Sequence, residues 1–111
     1  MLKKDHKLDN LEKFKIILQN TNNLVLNNKS KLYFVYIPDF EIYRNKLYPK
    51  HHENIIESIV KKMNIPFINI HRELFSKKND PLKYYPFKIR HHFTPEGYFE
   101  IAKTIFKKVN K

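Results

Sequence analysis

The residues best suited to chemistry lie near the carboxyl end, where Arg90, His91 and His92 run into Phe93-Thr-Pro-Glu-Gly97. Imidazole titrates near neutral pH, so a displayed histidine can take a proton from a hydroxyl and return it to a leaving group. That work requires a serine within about 3 Å. The serines are Ser30, Ser58 and Ser76: the first precedes an apolar run, the second falls inside a helical repeat, and the third opens a loop. A glycine-flanked elbow is impossible, because Gly97 is the only glycine in the chain. Ser76 with His92 is a conceivable pair in a new chain order, yet nothing local exposes or sharpens Ser76. His91 reads as structural.

Gly97 sits where a helix should begin, and glycine inside a helix costs up to about 1 kcal/mol relative to alanine. The missing Cβ therefore predicts a close approach of another backbone or loop to that helix start. Thr94 fits the N-cap and Pro95 the first helical position. Tyr98, Ile101, Ala102, Ile105, Phe106 and Val109 follow at helical spacing and define an inward face.

Upstream elements must position this turn. Leu8, Leu11, Phe14, Ile17, Leu18, Leu24 and Val25 predict a helix over residues 8 to about 26, weakened by a polar break at 20–23. Leu32-Tyr-Phe-Val-Tyr-Ile37 reads as a strand covered on both faces and ended by Pro38. Residues 39–49 leave that strand's carboxyl end, where such folds place ligand contacts, although a packed surface loop is the simpler reading. Ile55, Ile56, Ile59, Val60 and Met63 predict a helix within 50–63, and Phe67-Ile-Asn-Ile70 a second short strand. Residues 76–93 form a long aromatic loop feeding the last helix. Two buried strands joined by a helix make a parallel βαβ unit, so the fold class is α/β. A lone pair of strands leaves edges unpaired, so the isolated chain should be marginally stable or associate.

His92-Phe-Thr-Pro-Glu-Gly97-Tyr-Phe-Glu-Ile-Ala102 resembles the last conserved block of the SGNH (GDSL-type) hydrolases. Because a strand, a helix, a strand and a long loop precede it, the resemblance extends over roughly residues 8–109. It implies a partial flavodoxin-like three-layer sandwich of about two parallel strands and three main helices. It also implies that residues 1–111 are a single partial domain, the carboxyl-terminal half of such a fold. By the same resemblance His92 is the general base, acting without cofactor or metal on an ester or an acylated carbohydrate or lipid. The family's Gly-Asp-Ser segment and its later oxyanion-binding Gly and Asn segments have no counterpart here. Its aspartate, two or three residues before the histidine, is replaced by Arg90 and Ile89. An adjacent arginine disfavours the imidazolium formed during catalysis, while a backbone carbonyl could hold the tautomer instead. The expectation is a chain that supplies His92, lacks the nucleophile and is inactive alone.

Composition bounds the alternatives. Apolar residues make up 41% of the 111, enough for one modest core. Absence of cysteine excludes disulfides and thiolate metal sites. No stretch approaches the roughly 20 apolar residues of a membrane span, and Met1-Leu-Lys-Lys-Asp-His lacks a signal core, so the chain is expected to stay where it is made. A formal charge of +11 would attract polyanions. The excess is mostly Lys, accompanied by Asn and Ile, as AT-rich coding alone would produce. The alternative function is thus a non-catalytic basic module for nucleic acid or an anionic surface. Tyr84, Tyr85 and Phe87 with Lys83, Lys88 and Arg90 could stack bases or sugars, but hydrophobic closure over the sheet edge is simpler. His51, His52, His71, His91 and His92 show no metal-ligand spacing.

Overall fold

Pro38 and Pro66 bracket the two apolar runs that become the sheet. In the computed structural model, which describes residues 6–45, 47, 51–85 and 92–110, they pair as parallel strands β1 (Phe34–Tyr36) and β2 (Phe67–Asn69). Phe34 lies opposite Phe67 and Tyr36 opposite Asn69. The order is α1 (His6–Asn27), β1, α2 (Glu41–Arg44), α3 (His51–Lys62), β2, α4 (Ile70–Glu73), 3-10 turns at Phe75–Lys77 and Pro81–Tyr84, and α5 (Pro95–Val109). The fold is mixed α/β and mostly helical. Both strands are shorter than the apolar runs. Asn69 ends β2 early: its Oδ1 accepts from Arg72 N at 3.0 Å, capping α4 where the sequence suggests further strand.

Alternation along the strands splits the core into two faces. Tyr33, Val35, Ile68 and Ile70 pack with Leu74, Phe75, Tyr84 and the α5 residues Ile101 and Ile105. Leu32, Phe34 and Phe67 pack on the other side with Phe14 and Leu18 of α1 and Ile56 and Val60 of α3. Helices therefore cover both faces of the sheet. Coverage of β1 is partial, since all three of its residues are half-buried.

The polar break expected near residue 20 does not interrupt α1, because its side chains bond within the helix. Gln19 Nε2 donates to Asn23 Oδ1 at 3.1 Å and Thr21 Oγ1 to the Ile17 carbonyl at 2.7 Å. Asn22 is buried and its Nδ2 reaches the Met63 carbonyl at 3.5 Å, linking α1 to the end of α3. Both helices end in left-handed residues, Lys29 (φ 58°) and Asn64 (φ 60°). At the first, Ser30 N donates to Val25 O and Lys29 N to Leu26 O, each at 3.0 Å, the paired bonds of a Schellman motif.

Two expected inward faces need correction. In α1, Leu18 is buried, but Ile17 and Leu24 are 66% and 65% exposed. In α5, Ile101 is buried and Ile105 half-buried, while Tyr98, Ala102, Phe106 and Val109 are exposed. Helical periodicity gives the width of the apolar stripe. How much of it is covered depends on how many strands lie underneath, and two strands are narrower than either stripe.

Candidate active-site turn and the polar network at the strand ends

The α5 start is built as its residues dictate. Thr94 is extended (φ −67°, ψ 162°) and its Oγ1 accepts from Gly97 N at 3.0 Å, with Pro95 first in the helix. Thr94 N donates to the Tyr84 carbonyl at 2.7 Å. A Cβ on Gly97 would lie 2.8 Å from that same carbonyl oxygen. The close approach expected at Gly97 is therefore the last residue of the Pro81–Tyr84 turn.

That contact fixes where the His92 turn sits. The Phe93 ring lies 4.7 Å from Tyr85 and 6.0 Å from Phe75. Tyr85 is buried and its hydroxyl donates to the Pro38 carbonyl at 3.0 Å, just past the end of β1. Phe93 is thus linked through Tyr85 to the carboxyl end of β1, and His92, one residue before it, is exposed to solvent. No described residue holds its ring. Arg90 and His91, together with Ile89, Phe87 and Lys88, lie outside the described residues.

None of the three serines joins it. Ser30 Oγ donates to the Asn28 carbonyl at 3.4 Å, and Ser76 Oγ to the Arg72 carbonyl at 3.0 Å within its own helical turn. Ser58 is exposed in the middle of α3. Among the described residues no three potential metal ligands cluster, and His71 is engaged elsewhere.

The strand ends also hold a polar network that sequence reading missed. Tyr43 of α2 and His71 of α4 meet, hydroxyl to Nδ1, at 2.8 Å. Asn69, 1% exposed, donates from Nδ2 to the Glu53 carboxylate of α3 while its Oδ1 caps α4. Asp39 Oδ1 accepts from Glu41 N at 3.0 Å, and Glu41 holds Arg44 through both carboxylate oxygens. Burial, and then the charge that Tyr85 would carry at high pH, the Glu53 carboxylate and the charge that Tyr36 would carry, push the Tyr43 hydroxyl well above the ordinary tyrosine range. Burial and Asp39 do the same to Tyr85. Both phenols stay neutral at physiological pH, and the Tyr43 hydroxyl shares one hydrogen bond with His71 Nδ1 whose donor is set by the ring tautomer. The available signal was position: Tyr43 and His71 follow the carboxyl ends of β1 and β2, where open α/β sheets gather ligand contacts.

In chemical terms the turn presents a solvent-facing imidazole, and the strand ends hold a hydrogen-bonded polar network. The turn offers a proton acceptor with no hydroxyl nucleophile next to it among the described residues. Comparison of the chain with family models, with curated proteins and with solved structures returned no match, so its relationship rests on its own residues.

Proposed function

We propose that the chain is the carboxyl-terminal portion of an SGNH-type ester hydrolase or acyl-transfer domain, in which His92 is the general base for a serine carried by a segment outside these 111 residues. The observation that carries the reading is the placement of His92. It is exposed, two residues before a capped helix, and tied through Phe93 and Tyr85 to the end of β1. The three serines of the chain are committed elsewhere or remote in the fold, in keeping with a nucleophile from outside. The substrate would be an ester, or an acylated carbohydrate or lipid, and the chain alone would be inactive.

The test begins with the coding sequence ahead of Met1, read in all frames for a strand followed by Gly-Asp-Ser. Expressed as one chain with that segment, the protein should hydrolyse short-chain nitrophenyl esters. His92→Ala should then remove about 10²–10⁴-fold of the rate, the usual share of a positioned base. Esterase activity undiminished by His92→Ala refutes the role.

A second reading rests on a different observation. A groove of about 380 Å³ between α4, the Phe75–Lys77 turn and α5 is lined by Lys77, Lys78, Lys103, Lys107 and Lys108 against two carboxylates, Glu100 and Glu73, the latter paired with Lys108 at 3.0 Å. This favours the basic module for nucleic acid or an anionic surface. Binding of single-stranded DNA whose affinity falls steeply with salt, and is lost on Lys77→Glu/Lys107→Glu, would support it. Binding unaffected by those changes would dismiss it.

A further inference from the structure

We propose that the outer edge of β1 is a self-association surface, where a second copy of this chain adds its own β1 in antiparallel orientation to make a four-stranded sheet across a two-fold axis. Phe34 N donates to the Pro66 carbonyl at 2.9 Å. Backbone groups alternate in direction along a strand, so those of Tyr33, Val35 and Ile37 point away from β2. No described residue pairs with them. Natural sheets blunt an open edge with charge, proline or a bulge. Residues 32–37 contain none of these and are apolar or aromatic throughout.

Charge identifies the occupant. The run Lys31-Leu-Tyr-Phe-Val-Tyr-Ile-Pro-Asp39 is basic at its start and acidic at its end, and both terminal residues are exposed. Antiparallel pairing centred on Val35 sets Tyr33 opposite Ile37 and Lys31 opposite Asp39, each twice by symmetry. Parallel addition of the same run would bring Lys31 beside Lys31. Asp39 uses Oδ1 on Glu41 N, which leaves its other oxygen for Lys31 of the second copy. Pro38, which has no N–H, falls at a position whose backbone points inward, so the new ladder loses nothing there. The charge of +11 per chain opposes approach at long range. The dimer should therefore tighten as salt shortens the screening length toward about 8 Å.

Sedimentation equilibrium of the full chain over concentration and salt tests this. The expected result is a reversible monomer–dimer equilibrium that Val35→Pro weakens by more than about tenfold, since it removes the two central donors and leaves the β1–β2 ladder intact. Lys31→Glu and Asp39→Lys should each weaken it about tenfold, and the double variant K31E/D39K should recover most of the affinity. The charge series decides the matter even where Val35→Pro fails to fold. A monomer under all conditions overturns the proposal, as does a dimer indifferent to the charge swap. So does a Val35 amide that gains exchange protection only on fusion to an upstream segment, which would assign the edge to an intramolecular third strand.

Discussion

Replacing Gly97 with alanine sets two effects of known size against each other. In an open helix alanine is favoured over glycine by about 1 kcal/mol. Here the added carbon would stand 2.8 Å from the Tyr84 carbonyl oxygen, 3.0 Å from Tyr84 Cβ and 3.2 Å from Phe93 Cβ, where ordinary contact begins near 3.4 Å. The nearest of these is backbone and cannot rotate aside. Tyr84 is also fixed, being 1% exposed and stacked on Phe75 at 5.7 Å. The helix start must retreat by about half an ångström, which stretches the Thr94 N to Tyr84 O bond and loosens Phe93 from Tyr85. Overpacking of this kind costs about 1–3 kcal/mol. After the propensity gain, a net loss of roughly 1 kcal/mol remains, or about 4–8 °C in Tm for a chain of this length. Urea unfolding followed by far-ultraviolet circular dichroism measures it, with Ala102→Gly as a control at an exposed position of the same helix. A Gly97→Ala chain as stable as the natural one would show that the Tyr84 contact does not select glycine.

Other expectations are independent of that one. Lys29→Gly should stabilise the chain by about 0.5–1 kcal/mol, because Lys29 is left-handed at φ 58°; an unchanged urea midpoint contradicts this. The hydrogen bond from Arg72, aided by Lys61, holds the Glu57 carboxyl down at about 2 against its ordinary 4.5. A depressed carboxyl stabilises above its unfolded pKa and loses that contribution as pH falls. Glu57→Gln should therefore melt below the natural chain at neutral pH, with the gap closing between about pH 4.5 and 2; a gap that ignores pH argues against the pairing. Raised Tyr43 and Tyr85 hydroxyls contribute stability at neutral pH that is lost as pH rises past the ordinary 10. In alkaline absorbance titration two of the seven tyrosines should ionise only as the chain unfolds, and seven ionising together before unfolding would exclude this. Tyr43→Phe, which removes the hydroxyl bonded to His71 Nδ1, should cost about 1 kcal/mol in the same unfolding assay.

The start of α5 was legible in the sequence because capping is local chemistry: Thr94, Pro95 and Gly97 act within one turn of each other. The identities of both strands were legible for the same reason, as apolar runs closed by Pro38 or opened by Pro66. Exposure of Ile17, Leu24, Tyr98 and Phe106 was not, since it depends on the width of a sheet assembled from distant segments. The Tyr43–His71 contact joins residues 28 apart through two short helices with no periodicity to announce them. The short helix α4 was hidden because Asn69 completes a strand and caps a helix at once.

Asn69 carries a mechanical consequence of that double duty. Through one amide it fastens the first turn of α3, the tip of β2 and the entry to α4. A displacement of the α3 start would therefore carry His71 with it. Phe93 and Thr94 are moored to Tyr84 and Tyr85 instead, so the two histidine-bearing segments hang on different contacts and meet through Phe75, whose ring touches both Phe93 and Tyr43.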